Sequence, residues 1–281
     1  MMSNKLNILV PTDFSKNASN ALSYAIKLYA NQHCTFYILH STFINEAVAR
    51  AYQSAYSEDN QNRVVIEHSL AEVIKQAKAT NANPKHNFEA LLSGEELKTA
   101  VKNAVQEYNI NMVVMGTKGA TGAVEYVMGS NTIKVIRKIT ECPVLVLPET
   151  FSFVEPKQIT FPTDYNRSYD EKEIQVLKNL ADLYHSKLRI VHINVDLELS
   201  EVQENNMVML KKYLGDYEHS FHWLPDYTTK AKAIAKFVDD LEIDILAMIN
   251  YKHGILEKIL NEPVIKNLTF NPKIPILVIP K

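Results

Sequence analysis

An internal repeat constrains the fold of this chain more than any other feature of its sequence. Four short apolar segments recur in the same order in the two halves: residues 8–14, 36–40, 111–115 and 143–148 correspond to residues 159–165, 188–192, 244–248 and 275–280. The offset falls from 151 residues at Pro11 and Pro162 to 132 residues at Pro148 and Pro280. The second copy is therefore shorter, and the extra residues of the first copy fall within residues 42–86. Four matches in one order indicate a duplicated domain.

Within each copy, short apolar runs alternate with segments that have the period of an amphipathic helix. Helices are predicted around residues 21–29 and 97–108, with counterparts around residues 174–181 and 234–241. Apolar strands separated by helices indicate a parallel sheet with helices on both faces. The sequence thus predicts two tandem, doubly wound α/β domains of Rossmann-like type, each with a five-stranded sheet, over residues 1–148 and 156–281. Ser15 and Ser130 are predicted to cap helices.

Composition excludes several classes of protein. A net charge of −2 over 281 residues gives no electrostatic case for binding nucleic acid or an anionic membrane. The apolar runs are far shorter than the roughly 20 residues of a membrane-spanning helix. Only two cysteines are present, and the N-terminus lacks the pattern of a secretory signal. We therefore expect a cytoplasmic protein.

Glycine is scarce, and its placement is informative. The chain has seven glycines, and four of them fall within residues 116–129. There, Gly116, Gly119 and Gly122 follow the fourth predicted strand, and Gly129 with Ser130 opens a helix. Bare backbone and a helix N-terminus are suited to binding phosphate. Lys118 would add a positive charge, and Asp13, across the same crevice, could accept a hydrogen bond from a ribose hydroxyl or an adenine amine.

The loop resembles the nucleotide-binding loop of the universal stress protein family, in which Gly, two residues, Gly, nine residues, Gly and Ser or Thr follow one another. Gly116, Gly119, Gly129 and Ser130 match this spacing without a gap. The resemblance implies an adenine nucleotide, usually ATP, with AMP or ADP and an accompanying Mg²⁺ left open. Many members carry Val at the position of Ser41. The resemblance implies this set of contact residues: Pro11, Thr12, Asp13, Ser41, Met115, Gly116, Lys118, Gly119, Gly129, Ser130 and Asn131.

The second copy departs from this pattern. The positions aligned with the three loop glycines and Ser130 hold Ile249, Lys252, Asn261 and Glu262. Asp164 is retained, but a cap of the following helix is the expected role for it. We therefore expect one competent nucleotide site, in residues 1–148, and a degenerate second domain. The resemblance also implies that the domains pair through their last strands, residues 144–147 and 276–279, and it leaves open a homodimer and an unknown protein partner.

Three functions remain open. No nucleophile with an adjacent histidine, no carboxylate pair near the loop and no metal triad can be identified, which favours a regulatory ATP-binding stress-response protein over an enzyme. An ATP-hydrolysing or adenylating enzyme of a related fold is the first alternative. Such enzymes typically place a Ser-Gly-Gly loop after the first strand, where residues 11–15 read Pro-Thr-Asp-Phe-Ser. The second alternative is an interaction scaffold that no longer binds nucleotide, its loop being only a turn.

Overall fold

The computed structural model describes residues 5–43, 59–117, 128–193, 198–224, 230–251 and 273–281. The chain divides into two compact units, with the main boundary between Val144 and Leu145. The elements of the first part of the chain are, in order, β1 (Leu6–Pro11), α1 (Lys16–Leu28), β2 (Cys34–Ser41), α2 (Asp59–Thr80), β3 (Asn87–Ser93), α3 (Leu97–Glu107), β4 (Met112–Gly116), α4 (Ser130–Lys138) and β5 (Val144–Leu147).

The strands of the first unit run parallel in the order β3-β2-β1-β4. Ile8 of β1 lies beside Phe36 of β2 and, on the other side, beside Met112 of β4. The chain therefore builds the sheet outward from β1 to β3 and then returns to the opposite side of β1. The strand order reverses between β1 and β4, which is where ligands bind in doubly wound sheets.

Burial on both faces of the sheet explains the apolar strands. Every residue of β1 from Ile8 to Pro11 is buried, and β4 is buried from Met112 to Met115. Helix α1 presents an apolar face, including Ala21 and Ala25, and packs on β1 and β4. Helix α3 packs on β1 and β2 and against α4. The predicted doubly wound α/β fold is confirmed.

The second unit repeats this architecture. Its elements are β6 (Gln158–Thr163), α5 (Glu171–Asp182), β7 (Lys187–Ile193), α6 (Glu201–Leu214), β8 (His219–Leu224), α7 (Lys230–Asp240), β9 (Ile245–Asn250) and β10 (Ile276–Pro280). The strands are parallel in the order β10-β9-β6-β7-β8. Ile159 lies beside Leu188 and Ile245, as Ile8 lies beside Phe36 and Met112. Part of the length difference lies in the helix before the third strand, which has 22 residues in α2 and 14 in α6.

The sequence predicted helix N-caps at Ser15, Ser130 and Asp164, and the structure confirms the first of these. Ser15 caps α1, because its side chain accepts a hydrogen bond from the N–H of Ala18. The predictions for the other two positions were wrong. Gly129 is the N-cap of α4, and Ser130 is its first helical residue. Asp170, not Asp164, caps α5, since that helix starts farther from its strand than α1 does.

Both cysteines are buried. Burial raises the pKa of the Cys34 thiol and of the Cys142 thiol to about 12. Cys142 precedes β5 and is buried as a small apolar residue. Among the described residues, none of the helices combines the length and the apolar character needed to cross a membrane.

We predict that neither thiol reacts with dithiodipyridine in the folded protein at pH 8. The thiolate is the reacting species, and burial disfavours it at both positions. In concentrated guanidinium chloride both thiols should react within minutes, which serves as the control. Fast labelling of one thiol in the folded protein would contradict this burial.

A second prediction concerns the cap of α5. Asp170 accepts a hydrogen bond from the N–H of Lys172 at 2.9 Å and belongs to a capping box with Glu173. Asp170→Ala should lower the free energy of unfolding by about 1 kcal/mol, whereas Asp170→Asn, which keeps the acceptor, should lose much less. Trp223 is the only tryptophan and lies on β8, so its fluorescence during urea unfolding reports on this unit. Equal losses in the two variants would argue against the cap.

Candidate functional site

The first unit contains a cavity of about 440 Å³ beyond the carboxyl ends of β1, β2 and β4. Its position is the crevice at which the strand order reverses. The described residues that line it are Pro11, Thr12, Asp13, Ala18, His40, Ser41, Phe43, Glu96, Leu97, Met115, Gly116, Asn131, Thr132 and Lys134.

The turn after β1 forms one wall of this cavity. Phe14 has a φ of 63°, which is unusual for a residue with a side chain. Two hydrogen bonds stabilise the turn: the N–H of Phe14 donates to Thr12 Oγ1 at 3.1 Å, and the N–H of Ser15 donates to Asp13 Oδ1 at 3.0 Å. His40 Nδ1 lies 2.8 Å from the Thr12 carbonyl oxygen, and its ring stacks on Phe14 at 4.5 Å. His40 therefore holds the turn while also lining the cavity.

The end of β4 forms the opposite wall, and Gly116 is required there by close packing. A Cβ at Gly116 would lie 2.5 Å from the side chain of Asn17, which is buried in α1. Thr132 of α4 donates a hydrogen bond from Oγ1 to the Gly116 carbonyl oxygen at 3.0 Å. The N–H of Gly129 donates to the Thr117 carbonyl oxygen. These bonds fix the start of α4 beside the end of β4.

Polar groups from two further segments complete the rim. The Ser41 hydroxyl donates to the Glu95 carbonyl oxygen at 2.6 Å, which ties the end of β2 to the start of α3. Glu96 forms ion pairs with Lys98 at 2.9 Å and with Lys134 of α4 at 3.1 Å. Hydrogen bonds from Lys98 and Lys134 hold the pKa of the Glu96 carboxyl below its usual value. The rim thus carries carboxylate and ammonium groups together.

The structure brings most of the predicted site residues together. Pro11, Thr12, Asp13, Ser41, Met115, Gly116 and Asn131 all line the cavity. Gly129 and Ser130 stand directly before Asn131, at the start of α4. Lys118, Gly119 and Gly122 lie outside the described residues.

Several residues that line the cavity were not among those predicted: Ala18, His40, Phe43, Glu96, Leu97, Thr132 and Lys134. Two signals could have found some of them. Lys134 stands three residues after Asn131, so the two share a helix face. Glu96 and Leu97 follow β3, whose carboxyl end lies at the same edge of the sheet as those of β1 and β2.

The second unit has the same turn after its first strand. Tyr165 has a φ of 54°, and its N–H donates to Thr163 Oγ1 at 3.0 Å. His192 Nδ1 lies 3.1 Å from the Thr163 carbonyl oxygen, and its ring stacks on Tyr165 at 4.7 Å. The turn is therefore a feature of the repeated fold, independent of any cavity beside it.

Helix α6 packs against this turn. Gln203 donates from its side chain to the Asp164 carbonyl oxygen at 2.8 Å, and Asn206 donates to the Tyr165 carbonyl oxygen at 2.7 Å. Both side chains are buried, and so is Asp164. The turn that is open to the cavity in the first unit is therefore covered by α6 in the second unit.

Large side chains occupy most of the remaining crevice of the second unit. The Arg167 guanidinium lies 4.6 Å from the Tyr251 ring and forms an ion pair with Glu173 at 2.9 Å. Burial raises the pKa of Tyr251 to about 12, so its hydroxyl stays protonated, 3.5 Å from Asp164 Oδ1. A cavity of about 20 Å³ remains, enough for about one water molecule.

The end of β9 also differs from the end of β4. Ile249 takes the position of Gly116, because Ile245 pairs with β6 as Met112 pairs with β1. Ile249 is buried and lines the small cavity. Lys252, Asn261 and Glu262 lie outside the described residues. In the described parts of both units, no group of three or more His, Cys, Asp or Glu residues is arranged to hold a metal ion.

A parallel sheet with reversed strand order defines a doubly wound α/β protein, and the cavity of the first unit lies where such folds bind small molecules. The model of the Universal stress protein family matches residues 6–148, which is half of the chain. The chain therefore belongs to the universal stress protein family.

Individual proteins are similar to this chain over half or all of its length. Universal stress protein YxiE of Bacillus subtilis (strain 168) is 28% identical over 153 residues, which are 52% of this chain and 99% of YxiE. A universal stress protein from Archaeoglobus fulgidus DSM 4304 is similar in structure over 100% of this chain and 99% of its own, with a TM-score of 0.65 and 16% identity. This likeness shows the fold alone. A universal stress protein solved in complex with cAMP is similar over 50% of this chain and 96% of its own, with a TM-score of 0.37 and 21% identity.

We predict that Gly116→Ala lowers the free energy of unfolding by about 1–3 kcal/mol, because the added methyl group displaces the buried Asn17 side chain. Gly94→Ala is the matched control, since a Cβ there meets nothing within 4 Å. In the background of Asn17→Ala, the same Gly116→Ala change should have a much smaller effect, which a double-mutant cycle measures. A Gly116→Ala protein as stable as the Gly94→Ala protein would contradict the packing argument.

Proposed function

We propose that this protein binds an adenine nucleotide, ATP in particular, in the cavity of the first unit, and acts as a regulatory protein of the cytoplasmic stress response. The observation that carries the proposal is the cavity itself, whose lining includes seven of the predicted contact residues. Its volume of about 440 Å³ falls within the range of about 300–1,000 Å³ for small-molecule sites.

The walls of the cavity suit the parts of a nucleotide. Phe43, Leu97 and Met115 supply apolar surface for a base, and Asp13 supplies a carboxylate for a ribose hydroxyl or the adenine amine. Helix α4 begins at the cavity, and its N-cap is Gly129, so no N-cap side chain competes for the N–H groups of the first turn. These N–H groups are suited to a phosphate. Lys118 and Gly119 belong to the same proposed loop.

The proposal assigns the nucleotide to residues 1–148 and a domain without a competent site to residues 156–281. In the second unit, Gln203 and Asn206 cover the turn at Asp164, and Arg167 and Tyr251 fill the crevice. The remaining space of about 20 Å³ is far too small for a nucleotide.

The first test of this function uses Gly129, whose φ of −58° and ψ of 148° accept any side chain. Saturating ATP, at about a hundred times its dissociation constant, should stabilise the wild type by about 2.7 kcal/mol, which raises the melting temperature by several degrees. Gly129→Asp should abolish this shift, because a carboxylate at the helix N-terminus takes the place of the phosphate. Gly129→Asn, which has the same size without the charge, should keep much more of it.

Both substitutions provide a favourable N-cap, so the melting temperature without ligand should not fall in either variant. A wild type that shows no shift with ATP, ADP or AMP, with and without Mg²⁺, would favour the scaffold interpretation. Equal shifts in Gly129→Asp and Gly129→Asn would place the phosphates elsewhere.

The number of sites gives a further prediction. Isothermal titration calorimetry should find one ATP per chain, because the cavity at the corresponding crevice of the second unit holds only about 20 Å³. Two sites per chain would contradict a degenerate second domain. In the same samples, release of inorganic phosphate at many turnovers per minute would indicate an enzyme in place of a regulatory protein.

A further inference from the structure

Lys134 stands out among the residues that line the cavity, because it is a cation on the helix whose N-terminus faces the site. Its Nζ lies 3.1 Å from Glu96 Oε1, and Glu96 lines the cavity as well. The second oxygen of the same carboxylate, Oε2, lies 2.9 Å from Lys98 Nζ. Lys98 is not among the residues that line the cavity. Glu96 is thus shared by two lysines, of which one faces the site.

The helix geometry places the Lys134 ammonium within reach of the helix N-terminus. Lys134 stands four residues after Ser130, the first residue of α4, and therefore lies on the same face one turn later. Long side chains on a helix lean back toward its N-terminus. The flexible lysine stem lets its point charge move between neighbouring anions. An anion bound at the start of α4 would therefore compete with Glu96 for Lys134.

We propose that Lys134 is a phosphate-binding residue of the site, which Glu96 holds beside the cavity and which exchanges Glu96 for the phosphates of a bound nucleoside polyphosphate. This inference rests on the proposed function and adds to it a specific cation and an exchange of ion-pair partners.

Breaking the Lys134–Glu96 ion pair costs little free energy, for two reasons. The side chains of Lys134 and Glu96 are 52% and 33% exposed, and ion pairs at such positions contribute little stability. After the exchange Glu96 keeps Lys98, so its carboxylate is not left without a cation. A polyphosphate offers Lys134 more negative charge than one carboxylate and forms charge-assisted hydrogen bonds with it.

Titration calorimetry of the full chain with ATP tests the inference in four variants. Lys134→Met should weaken ATP binding on the order of tenfold, the effect of losing one charge-assisted hydrogen bond, and should reduce the dependence of affinity on salt. Lys134→Arg should retain affinity within about threefold, since it keeps the charge. Glu96→Gln should tighten binding, because it releases Lys134 and removes a negative charge near the phosphates. Lys98→Met is the matched control, and it should change ATP affinity by less than about threefold, because Lys98 does not line the cavity and Glu96, whose side chain is 33% exposed, remains in contact with water without it.

The outcomes separate this inference from the proposed function. A wild type that binds no nucleotide overturns the proposed function and the inference with it. ATP binding that Lys134→Met leaves unchanged overturns the inference alone. Equal losses in Lys134→Met and Lys98→Met would show that the ion-pair cluster acts on helix packing, and they also overturn it. All four variants should melt near the wild-type temperature without ligand, because the altered side chains are partly exposed.

Discussion

A contact between a histidine and a backbone carbonyl fixes the turn on which both halves of this protein depend. His40 reaches the carbonyl oxygen of Thr12, and His192 reaches that of Thr163. Each histidine also stacks on the aromatic residue that follows the aspartate, Phe14 in one unit and Tyr165 in the other. These contacts offset the strain of a positive φ in a residue with a bulky side chain. Both units contain the same type of turn. The turn therefore cannot explain why the first unit has a large cavity beside it and the second unit has a filled crevice.

The difference between the units comes from what packs around the turn. In the first unit, α1 starts at Lys16, close to the turn, and its buried Asn17 lies where only a glycine fits at the end of β4. In the second unit, α5 starts at Glu171, and the intervening segment brings Arg167 into the crevice. A later helix start therefore makes room for the side chains that close the site, including the isoleucine in place of glycine.

The sequence predicted the sheet and the strand-end residues because these follow from local pattern. Strands of one parallel sheet end at one edge, so Asp13, Ser41 and Gly116 had to converge once the strand order was known. Glu96 and Lys134 were not predicted, although each could have been placed near this edge of the sheet from the sequence; their ion pair could not, since it depends on how α3 packs against α4. Gln203 and Asn206 look like exposed polar positions in the sequence but are each only 7% exposed, because they bond to backbone carbonyls. Periodicity alone carries no signal for such bonds.

Some residues that line the cavity also stabilise its walls, and others do not. Only substitutions of the second group can measure the contribution of a side chain to ligand binding. His40, Thr12 and Thr132 form hydrogen bonds that keep the walls in place, so their replacement would disturb the cavity and any binding together. Among the described contacts, the Lys134 side chain forms one ion pair, with Glu96, and this pair is exposed. A loss of affinity in a folded Lys134 variant would therefore reflect charge at the site, which a substitution in the turn can never isolate.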